Sequence, residues 1–253
     1  RDQDIGVPAD SPFLRSEGDA PDDAGGGEPR VVREARKLFV DLDGELPGLM
    51  PTPAWKSKRF KQPWYPGETV IAGIGQGYVL ATPMQLAVAT MALANDGVMY
   101  KPQLIRAWRD PVTGKMGYAA PQVAERIKLT PKFLSLVKEA MVDVTRPGGT
   151  ASIAGANTPY LFAGKTGTAQ VVGIKQGAKY VESQVAARNR DHALFIAFAP
   201  ADNPKIVVAV MVENGGHGGS TAAPVARKVI DYWQRRPRIL AVRRWLAVCP
   251  AAN

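Results

Sequence analysis

Cysteine is almost missing from this chain. Cys249 is the only one in 253 residues, which rules out an internal disulfide and a cysteine-based metal site. Histidine is scarce as well: His192 and His217 lie far apart, and neither belongs to a paired-carboxylate pattern. His192, at a strand start, is expected to be structural, and His217 to be a loop residue near a site rim. No metal and no cofactor are therefore expected. Long apolar runs are missing too. The best of them, 194–199 and 206–212, fall far short of the roughly 20 residues a membrane-spanning helix needs, and no leader peptide or anchor is visible. Internal repeats are absent. Gly73-Ile74-Gly75-Gln76-Gly77 lacks both the lysine of a P-loop and the sixth-position glycine of a dinucleotide fingerprint, which excludes a nucleotide site. Its glycines are expected to let the backbone lie close against a neighbouring element.

What is present is ordinary for a globular protein: 45% hydrophobic and 22% charged residues, enough for a buried core. The net charge of +9 is unevenly spread. Residues 1–30 are acid-rich, whereas Arg235, Arg236, Arg238, Arg243 and Arg244 crowd the C-terminus with no acidic residue after Asp231. No recognition motif accompanies this charge, so no nucleic-acid partner is expected. Residues 1–36, rich in Asp, Gly, Pro and Ala and without apolar periodicity, are expected to be disordered. A folded domain over 37–233 and a basic tail over 234–253 complete the division.

Within the domain, 50–67 is rich in proline and aromatics and is expected to be an extended loop, pinned by buried aromatics with its lysines in water. Thr82-Pro83 supplies an N-cap and a first-turn proline for a helix to about Ala94, apolar enough all round to be the buried central helix. Val98–Ala107 should be extended and Asp110–Lys115 a turn. Thr130-Pro131 opens a second helix with Phe133, Leu134, Leu136, Val137, Ala140, Met141 and Val144 on its apolar face, stopped by Pro147-Gly148-Gly149. A tight turn at Gly148–Ala151 then leads to a strand centred on Lys165-Thr166-Gly167-Thr168. A polar excursion over 175–190 precedes strands at 192–199 and 205–212, a glycine loop at 213–220 and a closing helix at 222–233. Three strands joined by short links argue for an α+β fold, an antiparallel sheet covered by helices.

The Lys-Thr-Gly-Thr strand has the strongest chemistry. A glycine inside a strand marks a place where a ligand or another backbone comes close. Beside it a lysine and two hydroxyls suit an anionic, amide-like ligand. Lys-Thr-Gly is also one of three signatures of penicillin-binding proteins and class A β-lactamases. Further blocks follow the same pattern in order: Met50-Pro51-Thr52, Lys58-Arg59-Phe60, Pro63-Trp64-Tyr65, Gly67-Glu68-Thr69, Gly73–Tyr78, Ala81–Gln85, Lys165–Gln170, Asp191-His192 and Val212–Gly216. Over residues 40–233 the chain resembles the transpeptidase domain of class B penicillin-binding proteins of the rod-elongation type. A serine β-lactamase or D,D-carboxypeptidase would share the Lys-Thr-Gly strand but not the Gln-Gly-Tyr and Thr-Pro-Met-Gln blocks.

The resemblance implies a penicillin-binding protein/serine β-lactamase-like fold and a periplasmic D,D-transpeptidase of the inner membrane. Such an enzyme takes peptidoglycan stem peptides and β-lactams and acts with membrane proteins of the elongation complex. It also implies site roles: Lys165 for positive potential and proton movement, and Thr166 for the substrate carboxylate. Gly167 would give room for the peptide, and the backbone N–H of Thr168 half of an oxyanion hole. The family's Ser-x-x-Lys and Ser-x-Asn elements lie upstream of every matched block. No Ser-x-Asn occurs, and the one Ser-x-x-Lys, Ser135–Lys138, sits on the wrong helix, where serine and lysine read as solvent neighbours. The expectation is the C-terminal part of a transpeptidase domain without its nucleophile, inactive by itself and poorly soluble; the alternative is a non-catalytic truncated remnant or interaction module that keeps the sheet edge without being acylated. Residues 1–36 and 234–253 read as unrelated sequence or the product of a misassigned start.

Overall fold

The structure, a computed structural model, describes residues 44–171 and 185–235. The expectations for 1–36, for nearly all of the tail and for most of the 175–190 excursion lie outside the described residues. The described residues divide into two compact units, one holding 44–89 with Met99–Arg126, the other Thr90–Val98 with 127–171 and 185–235.

In the first unit, the stretch expected to be an extended loop contains two helices, α1 (Pro53–Phe60) and α2 (Pro66–Gly73). Of the four prolines that suggested a loop, Pro53 and Pro66 occupy first helical positions, where the missing N–H costs nothing and the fixed φ already suits a helix. Thr52 caps α1 by accepting from the Trp55 N–H at 3.1 Å, and the Glu68 carboxylate accepts from the Tyr65 N–H at 2.8 Å at the start of α2. Lys56, expected in water, is only 1% exposed. Its ammonium donates to Glu68 Oε2 at 2.6 Å and lies 4.2 Å from the centre of the Tyr65 ring. Trp55, Phe60 and Tyr78 form an aromatic cluster with centroids 5.2 to 5.6 Å apart. The stretch after α2 turns at Gly75 and Gly77, with φ of 75° and 73°. Left-handed backbone, more than close packing, is therefore what these glycines supply.

Helix α3 (Pro83–Ala94) begins with a reciprocal box: Gln85 N–H donates to Thr82 Oγ1 at 3.1 Å, and Thr82 N–H to Gln85 Oε1 at 2.8 Å. It is exposed at Met84 and buried at Val88, Thr90, Ala92 and Ala94. Val98–Ala107, expected as one extended piece, is divided between β1 (Val98–Tyr100), which pairs with β4 (Val123–Arg126), and β2 (Ala107–Arg109), which pairs antiparallel with β3 (Met116–Tyr118). The turn expected at Asp110–Lys115 joins β2 to β3. Asp110 Oδ1 accepts from the N–H groups of Val112 and Thr113, both at 2.8 Å, and these bonds hold its carboxyl below the ordinary aspartate range.

The second unit is built on an antiparallel sheet in the order β5 (Ala163–Ala169), β6 (His192–Ala199), β7 (Ile206–Val212). Around it lie α4 (Pro131–Asp143), a single turn α5 (Ser152–Gly155) and α6 (Ala223–Arg235). Strand β6 is central and apolar on both faces, as a strand covered from two sides must be. Ala193, Phe195 and Ala197 pack with Phe162 against Ala222, Ala226 and Ile230. On the opposite face Phe198 packs with Ala163 against Ala94 and Met141. Each buried phenylalanine contributes about 1.5–3 kcal/mol by leaving water. Helix α4 starts at Thr130-Pro131 as expected, yet Phe133, Leu136 and Val137 remain exposed, so only its C-terminal end joins the core. There the buried Thr145 hydroxyl lies 2.8 Å from Phe162 O and 2.9 Å from Val142 O, tying the end of α4 to the entry of β5. Helices and antiparallel strands together give the expected α+β class.

Candidate functional site

Strand β5 ends the sheet: among the described residues it pairs with β6 alone. Its pleat divides the Lys-Thr-Gly-Thr residues between two faces. Thr166 and Thr168, opposite Phe195 and Ala193, lie on the face turned to α6, and Lys165 and Gly167, opposite Ile196 and Leu194, on the other. Thr166 and Thr168 thereby line a cavity of about 410 Å³ together with Thr150, Ser152, His217 and Ser220.

Three segments meet there, each for a local reason. The Gly148-Gly149 turn after α4 brings Thr150 to the mouth, and Thr150 Oγ1 lies 3.2 Å from Thr166 Oγ1. The expected glycine loop is partly ordered: Gly218–Ala222 forms a π-helical turn that leads into α6. Gly218 makes this possible, because a Cβ there would stand 2.2 Å from Leu194 O and 2.6 Å from Gly167 O. The backbone that approaches Gly167 is thus the π turn. The wall behind is fixed by Arg227 of α6, whose Nη1 donates to Ala154 O at 2.7 Å and whose Nε lies 2.8 Å from Asp231 Oδ1. Asp231 also accepts from the Tyr160 hydroxyl at 2.5 Å. Burial, then the bond to the Asp231 carboxylate, pushes the Tyr160 hydroxyl far above its usual range. Burial raises the Asp231 carboxyl, but the bonds from Tyr160 and Arg227 outweigh it and leave it below its usual value.

Of the residues singled out from sequence, Thr166 and Thr168 reach the cavity, as does His217. Lys165 is exposed on the opposite face, and its ammonium donates to Thr166 O at 2.7 Å. His192 Nδ1 accepts from the Asn214 N–H at 2.9 Å, and Asn214 Nδ2 donates to Arg188 O at 3.1 Å and Arg190 O at 2.8 Å. Both are thereby parts of the scaffold. Ser135 bonds to Glu139 at 3.1 Å, whereas Lys138 turns to Asp96 at 2.6 Å and Ala94 O at 3.1 Å. That pair therefore does not join into a nucleophile and base. Thr150, Ser152 and Ser220 were not foreseen. The signal for Thr150 was the glycine pair before it; nothing in sequence marks the other two. Chemically, the cavity offers short hydroxyl donors at a strand edge and the His217 imidazole from the adjoining turn, a set suited to a carboxylate beside an amide.

Comparison with known proteins identifies the family of this chain. The penicillin-binding protein transpeptidase domain matches residues 35–231. The peptidoglycan D,D-transpeptidase MrdA of Acinetobacter baumannii is 45% identical over 201 residues, covering 78% of this chain and 29% of that protein. MrdA of Escherichia coli K12 is 42% identical over 195 residues, covering 76% of this chain and 30% of that protein. The fold is similar to Pseudomonas aeruginosa PBP2 solved in complex with WCK 5153, with TM-score 0.64 and 42% identity over 81% of this chain and 43% of that one. It is similar also to Helicobacter pylori PBP2 in complex with MreC, with TM-score 0.63 and 30% identity over 81% of this chain and 34% of that one. The chain spans about 30% of the length of the curated relatives it matches.

Proposed function

Because this chain belongs to the penicillin-binding protein transpeptidase family, we propose that it is the substrate-holding part of a peptidoglycan D,D-transpeptidase of the cell-shape type. The observation that carries the reading is the placement of Thr166 and Thr168 on the end strand of the sheet, facing a hydroxyl-lined cavity. In this reading the Thr166 hydroxyl donates to the terminal carboxylate of a D-alanyl-D-alanine peptide. Gly167 admits the π turn that walls the cavity, so the room expected there for the peptide is taken by Gly218. The Thr168 N–H donates to the carbonyl oxygen as it becomes an oxyanion, a contribution whose loss typically costs about 10²–10³ in rate. Lys165 adds a positive charge beside the strand, but it lies on the face away from the cavity with its ammonium on Thr166 O, so the proton-moving role expected of it is not assigned. A β-lactam presents the same carboxylate and carbonyl and is held by the same atoms.

Chemistry further requires a nucleophile, and Ser135 does not supply it, since its neighbour Lys138 is engaged by Asp96. We therefore assign holding, and not cleavage, to this chain by itself. Removing a nucleophile strips out most of an enzyme's acceleration even where binding survives. The Helicobacter pylori relative is solved in complex with MreC, which supports elongation-complex proteins as partners; action on the periplasmic face of the inner membrane is part of the same proposal. Among the described residues no helix is long and apolar enough to cross a membrane.

A fluorescent penicillin distinguishes holding from acylation. The chain is incubated with the label, denatured and resolved by electrophoresis, and in parallel its reversible binding is followed by fluorescence anisotropy. Saturable binding without a covalent band is expected. A covalent band on this chain overturns the non-acylating reading, and no saturable binding overturns the substrate-holding one.

A further inference from the structure

We propose that Thr150 is a positioning residue: its hydroxyl orients that of Thr166, so that the Thr166 proton points at an anionic ligand in the cavity. The inference rests on reading the cavity as the holder of a D-alanyl carboxylate. The two oxygens are 3.2 Å apart, and by distance alone either could be the donor. Each hydroxyl has one proton and two lone pairs. A carboxylate has acceptors only, so a ligand carboxylate beside Thr166 selects one of the two arrangements. Thr150 then donates to Thr166, and Thr166 donates to the ligand. The second bond ends on a charge and is the stronger kind, and bonds in such a chain polarise one another. Without Thr150, the Thr166 hydroxyl loses the donor that fixes its rotor, and its proton is shared among other acceptors.

The backbone around Thr150 is shaped for this placement. Helix α4 ends in a turn with Gly148 at φ 87°, and a Cβ on Gly149 would stand 2.2 Å from Asp143 O. The Ala151 N–H donates to Val144 O at 2.9 Å, and the Ser152 N–H to Gly149 O at 3.2 Å. On the other side Thr150 O packs against the π turn, 2.1 Å from where a Cβ on Gly219 would stand. Main-chain contacts therefore hold the residue in place. A hydroxyl at this point in the chain commonly caps a following helix. The short helix α5 has no side-chain cap, so the Thr150 hydroxyl is not spent that way.

The test uses the full chain as the native protein and as T150V, T150A, T150S, T166V and T150V/T166V. Two probes are titrated by calorimetry: an N-acyl-D-alanyl-D-alanine peptide and its C-terminal carboxamide. Circular dichroism checks each variant, and T150A serves where T150V does not fold. T150V is expected to weaken carboxylate binding about 3- to 10-fold, the worth of one hydrogen bond, with carboxamide binding unchanged. T150S restores native affinity, and T150V/T166V binds no more weakly than T166V, because the two hydroxyls act as one unit. If T166V weakens binding and T150V does not, the inference falls while the substrate-holding reading stands. Failure of T150S to rescue, or full additivity in the double variant, also overturns the inference. If the native chain does not prefer the carboxylate over the carboxamide, the substrate-holding reading itself falls.

Discussion

Glu68 has one carboxylate oxygen with two partners, the Lys56 ammonium at 2.6 Å and the Tyr65 N–H at 2.8 Å. The Lys56 bond first, then the Tyr65 backbone bond, holds its carboxyl below the ordinary value of 4.5. A carboxyl depressed on folding stabilises the protein above its unfolded pKa, and this contribution is lost as pH falls through the folded value. Urea midpoints measured from neutral pH down through the acid range should therefore fall for the native chain and fall less steeply for Glu68→Gln. Lys56→Met should be less stable than native at neutral pH and converge on it in acid, since it strands the same carboxylate. Parallel acid limbs in all three proteins would show that the pair does not contribute. The deletion of a buried ring is simpler. Phe195 is 0% exposed and packs between the sheet and α6, so Phe195→Ala should cost about 3–5 kcal/mol in chemical denaturation.

At the scale of elements, the same start chemistry occurs four times, with a proline as first helical residue at Pro53, Pro66, Pro83 and Pro131. Sequence alone revealed the helices after Pro83 and Pro131, because 12 and 13 residues carry a visible apolar pattern. The helices after Pro53 and Pro66 have 8 residues each, too few for a period to show, so their prolines read as loop punctuation. Their stability leans on caps, and Thr52→Ala should cost about 1 kcal/mol, read from the urea midpoint. The three-residue strands β2 and β3 were hidden for a related reason: only the turn between them has a distinctive composition. In the candidate site Thr166 and Thr168 were legible because they share a strand and a pleat face, whereas Thr150, Ser152 and Ser220 arrive from other segments. Only folding brings them together. The π turn tests this convergence. With its Cβ 2.2 Å from Leu194 O of β6 and 2.6 Å from Gly167 O of β5, Gly218→Ala must lift the turn off both strands, at a cost of about 1–3 kcal/mol. Penicillin anisotropy should weaken in the same variant; native binding by it would show that the turn does not shape the cavity.

At the scale of the whole molecule, surface hydrophobicity and net charge pull in opposite directions. Helix α2 and the residue that follows it expose Val70, Ile71 and Ile74, the last at 74%, and helix α4 exposes Phe133, Leu136 and Val137, the first at 64%. Residues 133, 136, 137 and 140 follow one another at helical spacing, so α4 presents a continuous apolar stripe with a single exposed face. Contiguous apolar surface of this kind drives association, because each contact removes it from water. A net charge of +9 opposes association, and residues 37–233 carry most of it, because the acid-rich start and the basic end nearly cancel. Repulsion between exposed charges is, however, screened beyond about 8 Å at physiological ionic strength, whereas apolar burial is not weakened by salt. Burial should therefore win. The chain should elute as oligomers in size-exclusion chromatography with light scattering, increasingly so at higher protein concentration and at higher salt. Phe133→Lys, which places a charge on the α4 stripe without touching the sheet core, should shift elution towards the monomer. Monomeric elution of the native chain at high salt, with a sharp reversible thermal transition, would mean that these stripes are not what governs its behaviour in solution.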